Sequence, residues 1–290
     1  MKILILGMGH VGKALALHLR SNGHQVVGTT TTPGKVEELK TAADQVEVLT
    51  GDQADKVKAA AAGCDAIIVT VAPNVKKTRS KEEREIHYHE VLEKSCASAA
   101  AACDKVIFLS SFSVYGDGGD GEDSITEETL VSNQEEPSAK YYNRAEQQIL
   151  KNASSCALRF PDMYGAPGDM SFPERVKLAH EYFGGKTIFG ADAPLYAIHF
   201  EDVVDSVIHA LENDLHGIYN VCDNENLPYT NQQVFDAICE EEDLTRLEFL
   251  NHIKAPNRKI SAQKIYDTGY RVVHGDPNAE IVDRVNQRAS

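Results

Sequence analysis

The chain has 290 residues, 42% of them hydrophobic and 7% aromatic, enough apolar material for one large domain, or a large domain with a smaller partner, around a real core. Its formal charge of −15, from 44 acidic residues against 29 Lys and Arg, excludes nucleic acid as an expected partner, because so acidic a surface repels a phosphate backbone unless a basic patch intervenes, and none is visible. No apolar run reaches the eighteen or so residues of a membrane span, so no membrane partner is expected either.

The opening stretch MKILILGMGHVGKAL carries a basic residue and an apolar run, yet glycines interrupt it and no small-residue cleavage site follows. It reads as a first strand and not as a signal peptide. KILILG (residues 2–7) predicts that strand, and residues 11–22 a helix closed by Gly23. QVVGTT (25–30), VEVLTGD (46–52), DAIIVTVA (65–72) and KVIFLSS (105–111) predict four more strands, with helical patterns at 35–43, 55–62 and 82–102 between them. This alternation implies βαβ units on a parallel sheet. The near-continuous Ile, Leu and Val of the strands imply a sheet covered on both faces.

From Gly116 to Pro137 the composition turns to Gly, Asp, Glu, Ser and Thr, predicting a long acidic loop of the kind that is functional or mobile in compact domains. It lacks the spacing of a calcium loop. PSAKYYNRAEQQIL (137–150) resumes a helix, SCALRF (155–160) a strand, and PDMYGAPGD (161–169) a loop. Residues 201–213 predict a helix, GIYNVC (217–222) a strand, and the remainder a mixture of helix and loop forming a smaller lobe. The six cysteines (64, 96, 103, 156, 222 and 239) form no Cys-x-x-Cys pair. They read as reduced, mostly buried thiols of a cytoplasmic protein, with no zinc site and no disulfide framework.

The strongest local signal is Gly7-Met8-Gly9-His10-Val11-Gly12, which follows a predicted strand directly and opens a predicted helix. In that context the first glycine permits the tight turn, the second lets backbone approach a pyrophosphate, and the third packs helix on strand. The phosphates then meet the free N–H groups of the helix N-terminus. An NAD site usually carries Asp or Glu at the end of the second strand for the ribose 2′-hydroxyl. Here that place reads Thr29-Thr30-Thr31-Thr32-Pro33-Gly34-Lys35. The hydroxyls of Thr30, Thr31 and Thr32 and the charge of Lys35, with His10 and Lys13 at the same end, favour NADP, with NAD possible.

SSFSVYG (110–116), at the end of the fifth strand, resembles the signature of extended short-chain dehydrogenases/reductases, the group of nucleotide-sugar epimerases and dehydratases. GDQADKVKAAAAGCDAIIVTVAP (51–73), LRFPDMYGAPG (158–168), YAIHFEDVVDSVIHAL (196–211) and GIYNVCDNENLPYTNQQVFDAI (217–238) are similar to further pieces of that family in the same order. The resemblance covers residue 1 to about 240. GHQVVGTT leading into Thr-Pro-Gly-Lys, VTVAPN, and the helix bearing Tyr88 are most similar to the atypical, epimerase/dehydratase-like members, in which a Tyr/Lys pair is often lost.

The resemblance implies a doubly wound parallel α/β Rossmann sheet with a small C-terminal substrate lobe. Residues 1–160, completed by about 195–222, would bind the dinucleotide, and residues 161–194 and 223–290 would form the lobe. A small-molecule substrate would lie outside the carboxyl ends of the strands, between the lobes. Ser111 matches the active-site Ser/Thr that hydrogen-bonds the substrate oxygen. Asp52 matches the residue near the adenine, and Val71, Ala72, Pro73 and Ser110 match positions lining the cofactor.

In this family a tyrosine acts as acid/base and a lysine one turn later lowers its pKa, because a free tyrosine near pKa 10 is a poor base at neutral pH. Aligning AEQQIL with the end of that helix puts Ser138 at the tyrosine position and Tyr142 at the lysine position. Ser138, Tyr142 and Glu146 would share one face, and Arg144 would follow Tyr141 at helical spacing. Three readings stay open: Tyr142 or Tyr141 is a displaced acid/base; a substrate or water fills that role with Ser111; or no such chemistry survives.

His87 and His89, two residues apart on one helix, fall on different faces and do not suggest a metal. His199 reads as a structural hydrogen-bonding residue, and no metal site is expected. The sequence therefore points to an NADP(H)-dependent oxidoreductase or epimerase/dehydratase-like enzyme acting on a small carbonyl or hydroxyl, monomeric or homodimeric. The alternative is a dinucleotide-binding sensor or scaffold without turnover.

Overall fold

Strand β1 (Lys2–Leu6), helix α1 (His10–Ser21) and strand β2 (Gln25–Thr30) open the chain in the predicted order. They are seen in a computed structural model that describes residues 1–74, 78–119, 121–130, 136–225 and 227–289. Positions 120, 131–135 and 226, which fall in the predicted acidic loop and in the stretch entering the final lobe, lie outside the described residues. The chain continues through α2 (Val36–Leu39), β3 (Gln45–Val48), α3 (Ala54–Ala60) and β4 (Ala66–Val69). Next come α4 (Lys81–Tyr88), α5 (Ser95–Ala102), β5 (Val106–Ser111), α6 (Pro137–Ile149) and β6 (Cys156–Phe160). The remainder comprises β7 (Asp162–Tyr164), α7 (Phe172–Phe183), β8 (Lys186–Phe189), β9 (Ala197–His199), α8 (Phe200–Glu212) and β10 (Gly217–Asn220). It ends with α9 (Asn231–Glu241), β11 (Glu248–Ile253), α10 (Gln263–Tyr266) and α11 (Pro277–Ala289).

Two units divide these elements. The first comprises residues 1–114, 133–160 and 203–219, the second residues 115–132, 161–202 and 220–290. The first unit is built on a seven-stranded sheet in the order β10-β6-β5-β4-β1-β2-β3, with β1 to β6 paired in parallel. This is the doubly wound Rossmann arrangement, and the order reverses between β1 and β4, where such sheets bind ligands. Side chains alternate across the strands. Leu4 and Leu6 join Val57, Leu92, Cys96, Ala145 and Ile149 in a core under α3, α5 and α6, while Ile5 meets α1 at Gly12. Both faces are thereby covered, as the apolar runs predict.

Several predicted boundaries move for identifiable reasons. The fourth strand ends at Val69, not Ala72; Thr70 still donates its N–H to the Leu6 carbonyl at 3.0 Å and turns its hydroxyl onto the Gly7 carbonyl, where β1 has given way to the glycine turn. The predicted helix 82–102 carries a π-helical segment, His89–Lys94, between α4 and α5. The predicted loop 161–169 contains β7, which pairs in parallel with β9. The final stretch contributes β11 to a second parallel pair with β8. These strands are too short to show an alternating pattern.

In the second unit, α7 begins with a capping box between Ser171 and Glu174, and α9 with one between Thr230 and Gln233, each satisfying helix N–H groups at both ends of the motif. Phe172, Val176, Leu195, Val234, Phe235 and Ile281 build its core. The acidic loop is not free chain throughout: Ile125 bridges Ile260, and Arg258 donates to the carbonyls of Asp123 and Gly118, each at 2.6 Å. Among the described residues no helix is long and apolar enough to cross a membrane. All six cysteines are free thiols.

Candidate functional site

The glycine motif lies where the topology places a nucleotide site, between the end of β1 and the start of α1. Gly7 has φ +111°, a conformation that L side chains rarely adopt. Its N–H donates to Thr29 Oγ1 at 2.9 Å, and the N–H of Met8 donates to the Thr29 carbonyl at 2.8 Å. A Cβ on Gly12 would stand 2.1 Å from the Gly7 carbonyl oxygen, so only glycine lets α1 start this close to the turn. Gly9 precedes the first residue of the helix, and no side chain caps that terminus. His10 is exposed and Val11 half-buried beside it. The first N–H groups of α1 are therefore available to an anion.

At the end of β2, Thr30 is buried, whereas Thr31, Thr32 and Lys35 are exposed. Glu38, on α2, pairs with Lys13 at 2.7 Å; the Lys13 hydrogen bond, aided by Lys35, holds its pKa below the ordinary carboxylate value. Asp52 is exposed after β3, and Val71, Ala72 and Pro73 follow the end of β4. Thr70, which the sequence reading passed over, pins the Gly7 carbonyl and so fixes the glycine turn against β4.

The residues read as catalytic are not joined in one hydrogen-bonded group among the described residues. Ser111 Oγ accepts the N–H of Ser113 at 3.1 Å, leaving its own O–H to donate. The hydroxyl of Ser113 is buried without a partner among the described residues. Ser110 donates to Glu146, which also receives Arg159 through Nε at 2.9 Å and Nη2 at 2.7 Å. The face shared by Tyr142 and Glu146 thus lies on the sheet: Tyr142 stacks on Phe108 of β5, with centroids 6.1 Å apart and planes inclined by 26°. Burial drives the Tyr142 hydroxyl well above its ordinary pKa, with Tyr88 and Cys96 adding to the effect.

Tyr141, on the adjacent face, donates to Glu85 Oε2 at 2.8 Å, and Lys140 Nζ reaches the same oxygen at 2.7 Å. Arg144 lies 5.4 Å from the Tyr141 ring, the contact expected from their spacing. Burial, then the bond to Glu85, raises the Tyr141 pKa against the opposing pull of Lys140 and Arg144. The bond from Lys140, followed by that from Tyr141, lowers the Glu85 pKa. Glu85 and Lys140 escaped the sequence reading. Lys140 precedes Tyr141 where a lysine was sought four residues after it, and Glu85 arrives from a helix more than fifty positions away.

The second unit holds a cavity of about 110 Å³ lined by residues including Asp162, Phe172, Arg175, Thr187, Phe189 and Phe235. Asp162 is an exposed residue; burial against these neighbours raises its carboxyl pKa, opposed by the attraction of Arg175.

A profile of the NAD dependent epimerase/dehydratase family matches residues 3–222. The protein YeeZ of Escherichia coli K12 is 27% identical over 230 residues, 76% of this chain and 77% of its own length. The UDP-glucose 4-epimerase of Thermotoga maritima, solved with UDP-glucose, superposes with a TM-score of 0.75 over the whole of both chains at 16% identity. The UDP-glucuronic acid 4-epimerase of Bacillus cereus, solved with UDP-glucuronic acid and NAD, gives 0.73 over 99% of this chain and 100% of its own, at 20% identity. These solved structures share the fold, and the profile match extends over well more than half the residues: the chain belongs to the NAD dependent epimerase/dehydratase family.

Proposed function

We propose that the protein is an NADP(H)-dependent oxidoreductase or epimerase/dehydratase-like enzyme that acts on a hydroxyl-bearing or carbonyl carbon of a small, sugar-type substrate without a Tyr-x-x-x-Lys pair. The observation that carries the reading is the glycine turn with its uncapped helix start, next to a β2 end that offers hydroxyls and Lys35, where the Glu38 carboxylate is paired with Lys13. Gly7, Gly9 and Gly12 would hold the pyrophosphate, and Thr30, Thr31, Thr32 and Lys35 would receive the ribose phosphate. The bound dinucleotide would supply hydride acceptance and return. Ser111 would hydrogen-bond the substrate oxygen. Tyr141, protonated at neutral pH and more so for its raised pKa, would donate a proton to the carbonyl oxygen when hydride is returned, and water held beside Ser111 would take the hydroxyl proton when hydride is accepted. The cavity with Asp162 and its aromatic walls suits a flat polar ring, and the Bacillus cereus relative binds a UDP-sugar together with NAD.

A second reading, a dinucleotide sensor without turnover, draws on Tyr142: it occupies the position of the family lysine, its pKa is driven up, and it carries no charge that would activate a neighbour. Fluorescence titration of the full chain with NADPH and NADH, followed by incubation of the oxidised cofactors with a panel of UDP-sugars, separates these readings. Tighter NADPH binding with cofactor reduction or sugar interconversion is expected. Much tighter NADH binding overturns the NADP assignment, and tight cofactor binding without turnover on any sugar favours the sensor.

A further inference from the structure

Lys13 and Glu38 belong to different helices and meet beyond the end of β2. The N–H of Lys13 donates to the Gly9 carbonyl at 2.9 Å, so its side chain leaves α1 one turn after the middle glycine of the motif. Lys13 Nζ donates to Glu38 Oε1 at 2.7 Å. Glu38 lies on α2, which follows directly on the 3₁₀ turn Pro33–Lys35 after β2. The pair therefore spans from the glycine motif to the segment proposed to receive the ribose phosphate, with 36% and 59% of the two side chains open to solvent.

The other charges of this segment are His10 and Lys35, both exposed, and Glu37, which pairs with Lys40 at 2.6 Å. Lys35 stands near enough to Glu38 to help Lys13 hold that carboxylate ionised. Two lysines and one glutamate thus share the place where, on the function proposed above, a ribose 2′ group would lie. A 2′-phosphate, with a charge of about −1.5 to −2 like other phosphate monoesters, is attracted by both lysines, and Glu38 opposes it twice. It repels the phosphate, and it occupies Lys13. A 2′-hydroxyl is uncharged and meets neither effect. An exposed pair of this kind adds little to folding, so α1 and α2 do not need the carboxylate for their stability.

We propose that Glu38 sets cofactor specificity by acting through Lys13: it competes with a 2′-phosphate for the lysine, and so narrows the preference for NADP(H) over NAD(H). The inference rests on the reading that the end of β2 receives the ribose 2′ group, and it stands whichever cofactor binds more tightly. Glu38 is a positioning residue for Lys13 and not a contact of the dinucleotide. In the usual NAD site a carboxylate at the end of the second strand bonds the ribose hydroxyl itself. Here the carboxylate sits further on, on α2, and its partner is a lysine. Binding of NADP(H) exchanges one ion pair, Lys13 with Glu38, for another, Lys13 with phosphate. Binding of NAD(H) leaves the first pair intact. Removing the charge of Glu38 turns the exchange into a net gain for the phosphate.

The test is fluorescence titration of the full chain with NADPH and with NADH, on wild type, Glu38→Gln, Lys13→Met, the double variant, and Glu37→Gln as a control that removes the same charge from the neighbouring position. Glu38→Gln should bind NADPH about tenfold more tightly, the size of one close charge interaction, with NADH affinity held within about twofold and the gain shrinking as salt is added. Lys13→Met should weaken NADPH alone, and on that background Glu38→Gln should lose most of its effect. Glu37→Gln should leave the NADPH/NADH ratio unchanged. A ratio that Glu38→Gln does not move overturns the inference and leaves the NADP assignment standing. A wild type that prefers NADH, with a ratio that Glu38→Gln still shifts toward NADPH, supports the inference and overturns the NADP assignment. An equal shift in Glu37→Gln, or a full gain without Lys13, overturns the inference, because the effect is then the general field of the surface. Absence of binding of either cofactor overturns both.

Discussion

Glu146 and Arg159 meet in a two-pronged ion pair, Oε1 with Nε at 2.9 Å and Oε2 with Nη2 at 2.7 Å, their side chains only 2% and 1% exposed. The pair joins α6 to β6 and takes a further bond from Ser110 on β5, so three elements share one buried charge centre. A buried pair adds little over apolar residues of the same shape, but losing one partner strands the other. Glu146→Ala should therefore destabilise the protein by about 3–5 kcal/mol, read as a fall in the urea midpoint. The double variant Glu146→Leu, Arg159→Met should recover most of the loss.

Cofactor choice rests on the missing carboxylate at the end of β2. Thr31→Asp places a negative charge where the ribose phosphate would lie. NADPH affinity should fall by about tenfold or more, equivalent to about 1.4 kcal/mol, while NADH affinity holds or improves. Fluorescence titration of both cofactors on wild type and variant reads the ratio, and a parallel loss for both would place the phosphate elsewhere.

The glycine turn, β1 to β6 and the identity of α6 are legible in the sequence, because each depends on local chemistry: glycines at a turn, unbroken Ile/Leu/Val runs, and motifs flanking a helix. What surrounds Tyr141 and Glu146 is not legible. Glu85 reaches Tyr141, and Arg159 reaches Glu146, only through packing of α4 and β6 onto α6, and no spacing rule announces a partner on another element. The same holds for His199 and His274, seventy-five positions apart, whose rings stack through the fold of the second unit. The pairs β7–β9 and β8–β11 escaped because three to six residues carry too short a pattern to separate strand from loop.

Tyr141 and Glu85 lend themselves to a kinetic test once a turned-over substrate is found. Tyr141→Phe should lower kcat by about 10²-fold or more, the loss typical of a removed acid/base group, with dinucleotide affinity unchanged. Glu85→Gln retains an acceptor for the hydroxyl and should cost less. An unchanged kcat in Tyr141→Phe would leave Ser111 with substrate or water to move the proton.

Alkaline pH provides a test independent of turnover. The native Tyr142 hydroxyl has a pKa raised above its ordinary value of 10. The unfolded chain releases that proton as pH passes about 10, while the native state still holds it. The stabilisation is complete below pH 10 and is lost as pH climbs toward the native value. Urea midpoints measured from pH 8 to 11 should fall at the alkaline end, and Tyr142→Phe should fall less steeply.

Arg258 ties down Gly118 and Asp123 through their carbonyls. Arg258→Ala should speed proteolytic nicking within the acidic stretch while leaving the global unfolding midpoint within about 1 kcal/mol, since a bond of this kind contributes on that order. Mass spectrometry of the early fragments locates the cut.

The π-helical segment His89–Lys94 joins α4 to α5 without a break. A π turn holds one residue more than an α turn but rotates less at each residue, so the surplus residue is absorbed within one wide turn and the flanking helices keep their faces. Deleting one residue there should restore a regular helix and leave Glu85 beside Tyr141. Among related chains, a one-residue gap between α4 and α5 would therefore coexist with the Glu85–Tyr141 pair, and the loss of that pair has to be read from the two residues themselves.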